Sequence, residues 1–314
     1  MAQHYQPPVQ DILFLLNQVI GWQELFRLPG YCHADSTLGA AIISEASRFC
    51  SEVLSPLNQQ GDADGCQLVD GRVKLPDTFL SAYELFTEGG WSGLDLPQHF
   101  GGQALPLTLT SAVSEMMNGG CVAFSMMPCM LRAAAALLVE HADDKIKDRI
   151  VPAITSGHCG ATIVITEPQA GSDVGAIRTR AIKQDDGSYQ LTGSKIFITC
   201  GDQNYTHQII HLVLARAKGA ETGTRGLSLF LVPKRNIDNP DEINHVSVSR
   251  LEKKMGLKAS PTCALNFDQA TGYLIGEKGA GLNCLFTMMK LMRLEVASQS
   301  VGIASATTQK ALTY

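Results

Sequence analysis

No two of the nine cysteines in this 314-residue chain stand in a CxxC spacing, which speaks against both structural zinc and a disulfide framework. Cys50, Cys121, Cys263 and Cys284 sit among apolar neighbours, where a reduced thiol packs as a small hydrophobe. Long basic runs are missing too. With a formal net charge of −5, nucleic acid is not an expected partner. Met1 to Pro8 offers neither a basic n-region nor an apolar h-region, so no signal peptide is expected. The most membrane-like stretch, Cys121 to Val139, is interrupted by Ser125, Pro128 and Arg132 and reads as a buried helix rather than a span. These absences lead us to expect a cytosolic chain.

What the chain does have is apolar content, 45% of its residues, enough for two cored domains. From Ile12 to about Ser156 the apolar spacing is helical. In one segment Asp35 or Ser36 can cap, and Ile42, Ala46, Phe49, Cys50 and Val53 then share a face, with Pro56 as the stop. Gln59 to Gly71 reads as a loop with a small hairpin. Helices are expected around Pro76 to Thr87, Leu105 to Asn118, Cys121 to Glu140 and Asp143 to Ser156. The alanine run Ala133 to Ala136 suits a helix packed closely on its neighbours.

At Gly157 the pattern changes. Gly160–Thr166, Arg178–Gln184, Tyr189–Thr192, Lys195–Thr199, Ile209–Arg216, Leu227–Val232 and Cys263–Phe267 are short, β-rich and separated by turns, as in a barrel or a sandwich. Asp185-Asp186-Gly187 is a hairpin turn. From about Gly281 the helical period returns, with Leu282, Phe286, Met289, Arg293 and Val296 on one expected apolar face. That helix reaches Tyr314 with no cap, glycine or proline, which leads us to expect an incomplete domain.

The chemistry concentrates in two strand ends. The strand Gly160 to Ile165 breaks at Thr166-Glu167-Pro168-Gln169-Ala170-Gly171-Ser172-Asp173, leaving two hydroxyls and several amides without strand partners. Lys195-Ile196-Phe197-Ile198-Thr199 ends in a third hydroxyl beside a Cys200-Gly201 turn. Convergent donors and one aromatic ring suit a flat, hydrogen-bonding cofactor. Glu167 reads as structural, since a carboxylate at a turn accepts backbone hydrogen bonds, and Asp173 as a turn or cap residue. His207 and His211 flank a β-rich segment in which four residues span about 13 Å, so no metal pair is expected. Lys253-Lys254 reads as a solvated surface pair. Gly89-Gly90 and Gly101-Gly102 lack the strand–turn–helix setting of a dinucleotide fingerprint and read as tight loops. On the apolar face of the last helix, Arg293 needs a partner, because an unpaired buried charge is costly.

Thr-Glu-Pro-x-Ala-Gly-Ser-Asp followed by Lys-x-aromatic-Ile-Thr resembles the flavin-site signature of the acyl-CoA dehydrogenases. Gly89-Gly90-Trp91, Phe100-Gly101-Gly102-Gln103, Lys254-Met255-Gly256, Gly276-Glu277 and Arg293 fit the same family. Val164 departs from it, standing where the family usually has a small residue. Tyr5-Gln6-x-Pro8, Asp11-Ile12-x-Phe14-x-Leu16-Asn17 and Ile209 to Arg216 resemble the larger subgroup that includes 3-methylmercaptopropionyl-CoA dehydrogenases.

The resemblance implies an N-terminal helical domain (1–158), a middle antiparallel β-barrel (159–280) and the start of a C-terminal helical bundle (281–314). It also implies FAD, held by Ile165, Thr166, Gly171, Ser172, Phe197, Ile198 and Thr199. Ile165 and Thr166 then face the flavin's pyrimidine edge, Ser172 the pyrophosphate and the acyl-CoA, Thr199 reaches N5, and Phe197 lies against the ring. The glycine loops close one wall of the acyl pocket. Ser172 with Lys290, Leu291, Met292 and Arg293 lines the acyl-CoA channel, and Arg293 helps position the catalytic loop. In the family's reaction a glutamate removes the α-proton of an acyl-CoA while the β-hydride moves to N5.

Relatives carry that glutamate either beyond the equivalent of Tyr314 or in the slot of Met292, which cannot take a proton. Glu295, the other carboxylate near Arg293, is turned about 200° from it on a helix, so the base is expected beyond Tyr314 and the chain as given is expected to lack a competent one. Reoxidation by an electron-transfer flavoprotein and a homodimer or homotetramer are implied as well. Two other readings stand beside this one: an acyl-CoA oxidase, and a fragment that binds flavin or acyl-CoA, or only assembles, without turnover.

Overall fold

The computed structural model describes residues 4–314. Seven helices come first: α1 (Val9–Phe14), α2 (Ser36–Phe49), α3 (Ser55–Asp64), α4 (Asp77–Glu88), α5 (Leu107–Gly120), α6 (Val122–His141) and α7 (Asp144–Thr155). A hairpin of β1 (Gln67–Val69) and β2 (Arg72–Lys74) interrupts them. Asp35 caps α2 by accepting from Leu38 N–H at 2.7 Å, which supplies one of the donors a helix start leaves unpaired. The buried stripe of α2 is Gly39, Ile43, Ala46 and Phe49, one residue round from the expected face. Gly39 sets that rotation, because a Cβ there would lie 2.6 Å from the Trp22 ring. Pro56 does not stop the helix. It falls in the first turn of α3 after a π-helical turn, Cys50–Leu54, where its missing N–H is tolerated. The expected loop from Gln59 is therefore helical as far as Asp64, and only then does the hairpin begin. Helix α6 is long and apolar enough to cross a membrane, yet two thirds of its apolar window is buried inside the protein. Its Ala133, Ala134 and Ala135 are all buried in the helical core.

The strands are β3 (Cys159–Val164), β4 (Arg180–Lys183), β5 (Tyr189–Thr199), β6 (Gln208–Ala217), β7 (Leu227–Pro233), β8 (Val246–Leu251) and β9 (Thr262–Ile275). Pairings β6–β7, β7–β9, β9–β5, β5–β4 and β4–β6 close a ring, with β3 added along β6 and β8 along β9. The barrel is mixed rather than wholly antiparallel, since β3 and β4 both run parallel to β6. Such parallel pairs need long connections. Here the two join through the turn after β3 and through β5. Tyr189–Thr192 and Lys195–Thr199 turn out to be one strand with two register shifts. The edge strand β8 was not expected from the sequence, although its Val246 and Val248 alternate with serines.

Strand β6 is buried on both faces. Val213, Ala215 and Ala217 point into the barrel, whereas Ile210, Leu212 and Leu214 join the helical core. This explains why its sequence is almost continuously apolar. Helix α8 (Gly281–Leu312) then returns across α5 and α6. Its packed face is Gly281, Cys284, Leu285, Met288 and Gly302, not the face through Phe286, Arg293 and Val296, whose residues are exposed. At Gly302 an added Cβ would lie 2.2 Å from the Glu115 carbonyl oxygen, so the small residue brings α8 and α5 into close approach.

Inside the barrel His211 is 1% exposed. Its Nδ1 pairs with Thr162 Oγ1 at 2.8 Å, and its ring meets Phe267 edge-on. Burial, with Lys234 nearby, lowers its pKa from 6.5 to about 3. The unfolded chain therefore takes up a proton below pH 6.5 that the native state refuses until about pH 3. Stability should fall as pH drops through that window, by about 2 kcal/mol between pH 6.5 and 5. Urea midpoints across this range check it, and His211→Gln should flatten the slope.

Candidate functional site

The turn after β3 is closed by its own backbone, Glu167 and Ala170 exchanging N–H···O bonds of 3.0 Å. Inside it the Glu167 carboxylate meets five donors. Oε1 accepts from Thr179 N (3.0 Å), Thr179 Oγ1 (2.6 Å) and Lys195 Nζ (2.9 Å). Oε2 accepts from Arg178 N (2.8 Å) and Gln169 Nε2 (2.6 Å). Lys195, with no exposed surface on its side chain, also donates to the carbonyls of Ile165 and Leu214, each at 2.8 Å. Burial alone would raise the Glu167 pKa, but Lys195, Thr179 and the Arg178 N–H outweigh it and hold the carboxyl at about 2. Glu167 is a fixed anion, in line with the structural reading. Asp173 stands at the N-cap position of a short 3₁₀ turn without a side-chain cap bond.

Beside this turn β5 bulges. Lys195 pairs with Leu265 and Ile198 with Cys263, so Ile196 and Phe197 together face Ala264. Phe197 takes the left-handed region at φ 61°, a strained choice for an aromatic residue, and the residue is 58% exposed. Ile196 N–H donates to the Thr166 carbonyl at 2.9 Å, which seams turn and bulge into one edge. Ile165, Thr166 and Thr199 are half-buried along that edge, while Gly171 and Ser172 are exposed on the same loop. Ile198 points its side chain into the barrel core, so only its backbone can face a ligand. Among the described residues the hydroxyls of Thr166, Ser172 and Thr199 make no hydrogen bonds to protein, and a Cβ on Gly171 would meet nothing within 4 Å.

The α8 residues behave differently. Leu291 and Met292 pack against the helical core, but Lys290 and Arg293 are exposed, and Arg293 has no ion pair or hydrogen bond among the described residues. The expectation of a paired Arg293 on a buried face is corrected: the face was misread by part of a turn. Glu295 is turned inward. Its carboxylate accepts from Ser114 Oγ, from Asn118 Nδ2 at 3.4 Å and from Arg132 Nη1 at 3.2 Å. Arg132 also grips Asp95 in a two-pronged pair at 2.8 and 2.9 Å. Sequence reading passed over this cluster, and the signal was a lone arginine in an otherwise apolar helix.

His207 lies on the surface and His211 in the barrel, and no metal-binding cluster occurs among the described residues. Lys254 is not a solvated surface charge, since it donates to the Ser260 carbonyl and to Thr262 Oγ1. In the glycine loops Gly90 and Gly101 are left-handed. The Trp91 and Leu94 they flank line a surface groove of about 450 Å³ between α2 and α4.

Models of the acyl-CoA dehydrogenase N-terminal domain and middle domain match residues 39–158 and 162–270. The chain belongs to the acyl-CoA dehydrogenase family. Among its relatives, a 3-methylmercaptopropionyl-CoA dehydrogenase of Ruegeria pomeroyi is 39% identical over 99% of this chain and 53% of its own length. A broad-specificity linear acyl-CoA dehydrogenase of Mycobacterium tuberculosis is 34% identical over 99% of this chain and 52% of its own. The chain thus spans about half the length of the curated relatives it matches. In fold it is similar to a butyryl-CoA dehydrogenase of Megasphaera elsdenii, with a TM-score of 0.74 at 23% identity, covering 88% of this chain and 68% of that one. The acyl-CoA dehydrogenase signature Thr166–Asp173 is the turn that the buried ion pair ties down.

Lys195→Met leaves Glu167 charged and unpaired in the interior, and should lower stability by roughly 3–5 kcal/mol in chemical denaturation. Adding Glu167→Gln should restore part of the loss. Phe197→Gly relieves a left-handed residue at an exposed site and should raise stability by about 1 kcal/mol. A decrease on denaturation would show that the ring contributes more to folding than its backbone strain removes.

Proposed function

We propose that this chain forms the flavin-binding part of an acyl-CoA dehydrogenase, and that the complete protein α,β-dehydrogenates an acyl-CoA thioester with FAD. The observation that carries the reading is Phe197, an aromatic ring held exposed on a strained backbone beside hydroxyls free of protein partners. A flat ring system needs a stacking face and in-plane donors, and local strain of this kind clusters at ligand sites. FAD fits this edge. Ile165, Thr166, Gly171, Ser172, Phe197, Ile198 and Thr199 are the residues that would hold it, Ile198 through its backbone. When bound, FAD would supply the acceptor for the substrate's β-hydride.

The chain's own residues then bind and orient. Thr166 and Thr199 offer hydroxyl donors along the seam, and open Gly171 lets a polar ligand approach the backbone. Ser172 and the α8 stretch Lys290, Leu291, Met292 and Arg293 would meet the acyl-CoA, with the loops around Trp91 as a further wall. The α-proton base is not among these residues. Met292 has no proton acceptor of use, and Glu295, the only carboxylate on α8, is engaged by Ser114, Asn118 and Arg132. A cytosolic setting, a homodimer or homotetramer, and an electron-transfer flavoprotein as acceptor complete the proposal. The relatives' names support the acyl-CoA class.

The 314-residue chain should hold FAD weakly and fail to dehydrogenate acyl-CoAs alone, whereas the full-length protein turns them over. FAD titration followed by flavin fluorescence, with an acyl-CoA panel on both proteins, tests this. In the full-length protein Thr199→Val should slow flavin reduction roughly 3- to 10-fold, the loss of one hydrogen bond. A full-length protein that never takes up FAD refutes the proposal. Turnover by the short chain that disappears in Glu295→Gln would place the base on α8.

A further inference from the structure

Between α4, α5 and α6, with Glu295 of α8 at its edge, lies a small cavity of about 20 Å³, whose polar lining is Thr110, Ser114, Ser125, Arg132 and Glu295. Its remaining wall is almost wholly apolar. Thr110 is 2% exposed, and its hydroxyl has no protein partner among the described residues. Two other buried helical hydroxyls are satisfied by the backbone. Ser125 donates back to the Cys121 carbonyl at 3.0 Å and Thr155 to that of Val151 at 2.8 Å, while Thr110 makes no such bond. A buried hydroxyl left unpaired loses its hydration with nothing in return.

The ion cluster beside it is also unfinished. Arg132 spends three N–H groups on Asp95 and Glu295, and a guanidinium has five. Two carboxylates face one cation, so the cluster carries surplus acceptor capacity as well as spare donors. A cavity of this size has room for one water, and a water held by protein groups makes about three hydrogen bonds.

We propose that the cavity binds a single ordered water, hydrogen-bonded to Thr110 Oγ1 and to the Arg132–Glu295 pair. The water ties α5 to the ion pair that joins α6 and α8, and so helps fix where α8 lies. Its site is too small for any part of a cofactor.

Two measurements decide the matter. A high-resolution crystal structure of this chain should show a density peak within hydrogen-bond distance of Thr110 Oγ1 and of Arg132 or Glu295. An empty cavity, or Thr110 rotated onto the Pro106 carbonyl, overturns the proposal. Thr110→Val keeps the shape and removes the hydroxyl. With a water in place it should lower Tm by roughly 2–4 °C, and Thr110→Ser should retain most of the native value. An unpaired hydroxyl in a dry cavity predicts the opposite sign, so an unchanged or raised Tm for Thr110→Val also overturns it.

Discussion

The Glu167–Lys195 ion pair is the constraint on which the rest of the barrel edge depends. Removing two charges from water is expensive, and such a pair persists when hydrogen bonds satisfy what remains of each group. Here they do. Glu167 takes five donors and Lys195 reaches three acceptors. Those bonds come from the turn after β3, from the two residues leading into β4, from β5 and from β6, so one buried pair sets four segments relative to one another. A carboxylate so held cannot double as a mobile base. The acid inside the signature is therefore architecture, and the residues around it are free for binding.

The same pair dictates the bulge. Along an ideal strand inward side chains are an even number of residues apart. Lys195 must point inward to reach Glu167, and Ile198, three residues on, is also buried in the barrel. Only an extra residue between them reconciles the two, and a β-bulge supplies it. Phe197 absorbs the irregularity in the left-handed region and its ring is turned out to solvent. An exposed, strained aromatic at the mouth of the signature turn is thus a consequence of core chemistry two residues away. No separate device is required to present it.

This chain of causes also shows what the sequence could reveal. The turn, the strand and their hydroxyls were legible because proline, glycine and alternation mark them locally. That Lys195 is buried was not legible, since a lysine in an alternating strand reads as a solvent-facing residue until its partner is known. The helical faces were found to within one residue and no better. On α2 the rotation is set by Trp22 closing on Gly39, and on α8 by Gly302 and by the inward Glu295, none of which apolar spacing records. Strand β8 escaped because half of its alternation is serine, and its identity rests on pairing with β9 alone.

The orientation of α8 links two sequence readings that looked independent. Residues two apart on a helix are turned about 200° from each other, so Glu295 and Arg293 cannot both face the protein. Polar partners on α5 and α6 select Glu295 for the inside: Ser114, Asn118 and Arg132 all converge on it, and one turn further Gln299 donates to Asn118 Oδ1 at 3.2 Å. Arg293 is outward as a result, and Leu291 and Met292 are left as the packed part of that stretch. The inward Glu295 and the outward Arg293 therefore have a single cause. The electrostatics of the α5–α6–α8 joint had already assigned the helix its rotation.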